Sequence, residues 1–470
     1  MSTDGPRQPR TARAPARRWR RPVIGFGIAL LGMLVVADRF SDTSWCWLLW
    51  LAVGLAAGVV VGSAGRIWLV GAAAVAFYPI ATWLGMPRLD VVQLYWVILT
   101  ILGAVLVGSG FIVGTIVRPR PDPVRREEAT APRRPARVGL LIGAIALALV
   151  AVGAWAAYSG MVGSDEVLGL TGKGTNCDTP ASRFGWEYEA INYDKADDAR
   201  LVAANPDRRH CKTQGSRAGT AVVTSDRIPI AGWYIPAANG AGPDGPTLVL
   251  AAGRKSNKSD ALKYALPFHK AFNLVLVDLR NSGRSGDTLT TWGYREQLDV
   301  RAMVDWLERT KDPSWIGAMG NSAGAASVLA AAVGDPRIEA LILDSMHASV
   351  VTTLADGIES ESHVPGYPTA WAIAALTSVR IGADLTSADP VRTITQLGDR
   401  PVLLLHGTAD SVDRPEHSAD RTFSAAQAAG VPVELHYCRD APHGEAIDKC
   451  PAAWAAWADA FLGPLVRPGS

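Results

Sequence analysis

Gly320-Asn321-Ser322-Ala323-Gly324 joins two unlike stretches of chain, a short apolar run from Trp315 to Met319 and an Ala-rich one from Ala323 to Val333. The first has the length of a buried strand and the second the composition of a packed helix. A serine at so abrupt a strand-to-helix turn takes a strained backbone conformation, tolerable only if its neighbours are small enough to clear the crossing chain. Gly320, Ala323, Gly324, Ala325 and Ala326 meet that demand. The G-x-S-x-G spacing in this context marks Ser322 as a nucleophile presented at the end of a sheet.

A serine hydroxyl needs a base to take its proton and a carboxylate to orient that base. All eight histidines lie after residue 164. His443, in Ala441-Pro442-His443-Gly444, follows the last strand-like run in a turn-rich loop and is the candidate base. His436 falls within that run, while His269, His347, His363 and His417 read as surface or packing residues. His406 ends a strand before Gly407 and reads as a structural residue near the site. The orienting acid belongs beyond the strand before that last run, Val402 to His406, where Asp410 stands; Asp413 reads as a surface acid and Asp344 as the alternative carboxylate.

Working outward, short apolar runs alternate with helical stretches from residue 219 onward. Thr220 to Thr224 and Ile228 to Ile235, split by Ser225-Asp226, suggest an antiparallel hairpin. Thr247 to Ala251, Asn273 to Asp278, Ile338 to Leu343, Val402 to His406 and Val433 to Tyr437 read as further strands. Gly293 to Thr310, Ala419 to Ala429 and Pro451 to Leu462 read as helices between or after them. Continuous apolar strands separated by helices imply an α/β fold, a parallel sheet covered on both faces, with its site at the carboxyl ends of the strands.

Residues 220–470 resemble an α/β-hydrolase of the serine esterase, lipase and peptidase-like branch, in which the chain order is serine, acid, histidine. Asp278-Leu279-Arg280-Asn281-Ser282-Gly283-Arg284-Ser285-Gly286 is similar to that family's D-x-R-x-x-G-x-S loop, and Leu341 to Ser345 to the strand after its nucleophile. The resemblance implies an oxyanion hole made by the backbone N–H groups of Ala323 and Arg254, and a lid over about 345–400, where Tyr367, Trp371, Ile373, Leu376 and Pro365 supply apolar surface. One departure stands out: Ala252-Gly253 replaces the His-Gly of many relatives. Arg254, Lys255 and Lys258 follow it, either as a cationic lip for an anionic substrate or as solvated loop charges.

The front of the chain is different in kind. Residues 1–164 hold 17 Arg, no Lys and 7 acidic residues, a net charge of +10, so the whole-chain value of +2 leaves −8 for the remainder. An acidic back without a basic face excludes nucleic acid as a partner. Val23 to Ala37, Trp45 to Val61, Ile67 to Leu84, Val91 to Val117 and Val138 to Tyr158 are apolar runs without a central charge. A bilayer core is crossed by about 20 such residues, so 23–117 reads as four membrane helices and 138–158 as a fifth. The basic tail 1–22 and the Arg/Pro-rich linker 118–137 are both rich in arginine, which keeps them cytoplasmic. Four crossings between them and a fifth after them put residues 165 onward outside the cytoplasm. Reading Val23 to Ala37 as a signal-peptide core fits its length, but no small-residue cleavage site follows it before Asp38. Residues 165–219 then read as an extracytoplasmic linker or N-terminal extension.

Of five cysteines, Cys177, Cys211, Cys438 and Cys450 fall in the globular part. An even number suits disulfides in an oxidising compartment, and the sequence-local pairing is Cys177 with Cys211 and Cys438 with Cys450. Free thiols are the alternative, and zinc spacing is lacking. The function expected is a membrane-anchored serine hydrolase that cleaves an ester, thioester or amide through an acyl-enzyme. It would need no cofactor, and its partners would be the lipid bilayer and a small-molecule, lipid or peptide acyl substrate. A cell-envelope acyltransferase and a non-catalytic receptor or scaffold are the alternatives.

Overall fold

The computed structural model describes residues 163–169, 174–208, 211, 218–362 and 366–466. The basic tail, the five apolar runs and the Arg/Pro-rich linker lie outside these residues, as do His363 and Pro365. Among the described residues no helix is long and apolar enough to cross a membrane.

The chain runs α1 (Pro180–Phe184), β1 (Glu189–Ile191), α2 (Ala196–Ala204), β2 (Ala231–Ile235), β3 (Thr247–Ala251), α3 (Lys258–Phe268), β4 (Asn273–Asp278), α4 (Glu296–Lys311), β5 (Ile316–Asn321) and α5 (Ala323–Val333). It continues through β6 (Ile338–Asp344), α6 (Val350–Ser362), α7 (Thr369–Ile381), α8 (Pro390–Ile394), β7 (Val402–Gly407), α9 (Ala419–Ala428), β8 (Val433–Cys438), α10 (Ala446–Lys449) and α11 (Pro451–Val466). Among the described residues eight strands form one sheet in the order β1-β2-β4-β3-β5-β6-β7-β8. β1 and β2 run antiparallel to their neighbours, and every pairing from β4 to β8 is parallel.

Alternation of side chains along each strand explains how one sheet holds two cores. Val249 and Ala251 of β3 face Met303, Leu307, Val328 and Ala426 on α4, α5 and α9. Leu248 and Leu250 face Leu262 and Phe268 of α3 with Trp454 and Phe461 of α11. Both faces are dry, so the central strands carry apolar residues without a polar interval.

Two expectations need correction. The proposed hairpin reduces to one bridge between Val223 and Pro229, closed by Thr224 N–H on Ile228 O and Ile230 N–H on Val222 O. Pro229 has no N–H to extend a ladder, and β2 pairs with β4 and β1 instead. The segment 165–219, read as a linker or N-terminal extension, supplies the edge strand β1 and helices α1 and α2, so it is the linker alternative that gives way. Asp198 of α2 is buried, where it accepts from Trp233 Nε1 at 2.9 Å and Tyr193 Oη at 2.6 Å. The sequence-local cysteine pairing is present in both cases, Cys177 with Cys211 and Cys438 with Cys450.

Candidate active site

The turn after β5 holds Ser322 at φ 53° and ψ −125°, a left-handed conformation costly for a residue with a Cβ. Its surroundings dictate small neighbours. A Cβ on Gly324 would run into the carbonyl oxygens of Ala251 and Ala252, and one on Gly320 into the backbone of Gly324 and Ala325. The Ser322 N–H donates to Asp344 O at 2.9 Å, which ties the turn to β6.

His443 and Asp410 reach the same place from the loops after β8 and β7. His443 Nε2 lies 3.0 Å from Ser322 Oγ, and His443 Nδ1 lies 2.8 Å from Asp410 Oδ2. An ionised carboxylate only accepts, so Nδ1 carries the proton and Nε2 is free to accept from the serine hydroxyl. Burial alone would raise the Asp410 carboxyl, but hydrogen bonds from His406 and His443 hold it well below the usual carboxylate range. Its other oxygen accepts from Val412 N–H at 3.0 Å and Asp413 N–H at 2.8 Å. For His443, burial works against the charged ring, yet the Asp410 hydrogen bond and the Asp413 and Asp410 charges raise its pKa above the usual 6.5. Gly444 fixes the loop that carries this imidazole: its carbonyl accepts from Lys263 Nζ at 2.8 Å and Tyr264 Oη at 3.2 Å, and its N–H donates to Ser345 Oγ at 3.2 Å.

The remaining candidates divide. Ala323 is the first residue of α5, where helix N–H groups have no partner within the helix. Arg254 follows Gly253, and a Cβ on Gly253 would stand 3.1 Å from Ser322 Cβ. Gly253, Arg254 and Ala323 line one cleft together with Asn281, Ser282 and Glu296. Asp344, the alternative acid, is instead held by Trp454 Nε1 at 2.8 Å and Ser345 Oγ at 2.8 Å. His406 supports the site from behind, with Nε2 donating to Asp413 O at 2.7 Å and lying 3.3 Å from Asp410 Oδ2.

Both readings of the Arg254, Lys255 and Lys258 group give way to a third, in which the charges are paired. Lys258 is buried at the start of α3, 2.5 Å from Asp278 Oδ2. Arg254 reaches Glu166 at 2.9 Å and lies over the Trp292 ring, while Lys255 also pairs with Glu166.

Sequence reasoning missed the burial of Asp413, while His347 takes the packing half of its surface-or-packing reading. Asp413 is buried, not a surface acid: it accepts from Thr353 Oγ1 of α6 at 2.5 Å and lies 3.7 Å from His443 Nδ1. Burial pushes its carboxyl up to about 6, against the pull of His443 and Thr353. His347 is fully buried, edge-on to Trp292 at 5.5 Å, with neither ring nitrogen hydrogen-bonded; burial pushes its pKa down to about 3, so the ring is neutral. A loop acid three residues past Asp410 carries no signal in sequence that separates it from a surface residue.

A strand order with one antiparallel edge, a tight strand-to-helix turn at Ser322 after β5, and an acid and a histidine after β7 and β8 define the architecture. The fold is that of an α/β-hydrolase. Residues 263–465 match the prolyl oligopeptidase family. The chain is 27% identical over 207 residues to the uncharacterized protein YqkD of Bacillus subtilis, a match covering 43% of this chain and 66% of that protein. It is 26% identical over 230 residues to the uncharacterized protein YfhR of Escherichia coli, covering 47% of this chain and 71% of that protein. Among solved structures it is similar to the Pyrococcus furiosus esterase Pf2001, with a TM-score of 0.47 and 20% identity over 63% of this chain and 100% of that one.

Proposed function

We propose that this protein is a membrane-anchored serine hydrolase whose catalytic domain works outside the cytoplasm on an ester, thioester or amide. The observation that carries the reading is the continuous hydrogen-bonded chain from Ser322 Oγ through His443 to Asp410. Ser322 attacks the substrate carbonyl as His443 Nε2 takes the hydroxyl proton, and Asp410 steadies the imidazolium that forms. The negative charge on the carbonyl oxygen falls to the N–H groups of Ala323 and Arg254; such donors are worth roughly 3 kcal/mol each in comparable sites. His443 then passes its proton to the leaving group, and a water, deprotonated by the same imidazole, releases the acid and restores Ser322.

Two arginine-rich segments flanking four apolar runs support the orientation, and two disulfides in the globular part support an oxidising compartment. A membrane-impermeant fluorophosphonate probe applied to intact cells tests reactivity and placement together. Labelling of the wild type and none of Ser322→Ala is expected. A wild type that labels only after lysis overturns the orientation, and one that never labels overturns the enzyme reading.

The Cys438–Cys450 bridge brackets His443 and stiffens its loop. Its selective reduction is expected to lower kcat by about tenfold or more, because small displacements of a catalytic group are costly. Ester turnover before and after reduction, with thiol alkylation followed by mass, is the check; full activity with both thiols alkylated counts against this role.

A further inference from the structure

Helix α7 is apolar on both of its faces. Its inner face buries Ala370, Ile373, Ala374 and Ile381. Its outer stripe holds Trp371, Ala375 and Val379, spaced four residues apart, with Trp371 60% and Val379 77% exposed. Tyr367, 41% exposed, packs against Trp371 at 4.9 Å between ring centroids. Three of the six large apolar side chains exposed among the described residues are therefore gathered here. A helix facing water ordinarily carries charge on its outer face. The one charged residue of α7 is Arg380, and it is turned to Asp165 at 2.5 Å and Ser164 at 2.9 Å.

That pairing points to what covers the stripe. The start of the described domain is fastened to α7: Gly163 lies against the Ile373 side chain, and Val167 and Leu168 are buried in a cluster with Ile373, Ile381 and Trp292. Four residues, 159–162, separate this segment from the end of the apolar run 138–158. Five extended steps of chain span at most about 17 Å. Residue 163, which lies against α7, is thus tethered to the last residue of that run by no more than this length of chain. We propose that the outer face of α7, with Tyr367, docks into the interfacial layer of the lipid bilayer in which 138–158 is inserted, an inference that rests on the membrane-anchor reading above. Trp and Tyr favour that layer, and an apolar helix face sinks into it by about 5–10 Å.

The test uses the full chain with Cys46→Ser, which removes the cysteine outside the two disulfides. Trp371→Cys carries an environment-sensitive nitrobenzoxadiazole label, and Glu434→Cys, exposed on β8, carries the same label as a control. Both proteins are reconstituted in phosphatidylcholine–phosphatidylglycerol vesicles with and without lipids bearing a doxyl quencher near the headgroup. Emission from position 371 is expected to be blue-shifted and quenched by roughly half or more, with position 434 unaffected. Flotation after an alkaline wash separates the two ways of failing. Protein that does not float overturns the anchor and the docking with it. Protein that floats with an unquenched label at 371 overturns the docking alone, and a label that is blue-shifted but unquenched by lipid assigns the face to a second copy of the chain.

Discussion

Ser322→Ala is expected to lower kcat for ester cleavage by about 10⁵- to 10⁶-fold while leaving the thermal unfolding midpoint unchanged. The loss is large because serine and histidine act as a unit: without the hydroxyl there is no acyl-enzyme, and His443 has no proton to accept. Stability is spared because alanine keeps the Cβ that already sits at φ 53°, so the strain of the turn is the same in both proteins. What remains, on the order of 10³–10⁴ over water, comes from binding and the oxyanion donors. Turnover within tenfold of wild type in the purified variant would place the nucleophile elsewhere.

The second large effect separates two carboxylates that crowd one imidazole. Asp410→Asn is expected to lower kcat by about 10⁴-fold, because an amide that donates to Nδ1 forces the proton onto Nε2 and leaves no acceptor for the serine. Asp413→Asn removes a charge 3.7 Å from the same nitrogen but leaves the 2.8 Å bond to Asp410 in place. Its kcat at the plateau should fall by less than about tenfold. Its pH profile should move. The neighbouring carboxylates raise the His443 pKa by stabilising the charged ring, so activity appears as pH rises through that raised value and the ring becomes neutral. Removing Asp413 lowers the His443 pKa and shifts the acid limb of kcat/KM to lower pH. The shift should be felt mainly above about pH 6, where Asp413 itself is ionised. If Asp413→Asn costs as much as Asp410→Asn, the orienting acid is misassigned; an unmoved acid limb removes Asp413 from the electrostatics of the base.

Much of the architecture was readable in the chain itself. Thr247–Ala251 and Asn273–Asp278 are strands with the expected ends, and β5 to β8 differ from expectation by one or two residues at their ends. Buried parallel strands leave an uninterrupted apolar run that ends abruptly, and that signal survives in a single sequence. The edge strand β1 does not, because three residues, Glu189–Ile191, with one face open to water have no such run. That Ser322, Asp410 and His443 come together was also readable, since a strained turn demands small residues and the other two lie just past strand ends. The anchor and the side of the membrane remain readings of the sequence, supported by arginine placement, and lie outside the described residues.

What sequence alone determined was where the central strands run, the tight turn at Ser322 and the placing of Asp410 and His443 just past strand ends, because each is written in neighbours within a few residues. Tertiary structure decided which charges are free and which are held. Lys258 is buried against Asp278, Asp344 is given to Trp454, and Asp413 is closed over by Thr353 from a helix sixty positions earlier in the chain. It likewise decided that α7 keeps its apolar stripe outside while binding the segment that leads into the domain. Burial and pairing are set by contacts between elements distant in sequence, and a charged or apolar residue looks the same in the chain whether such a contact exists or not.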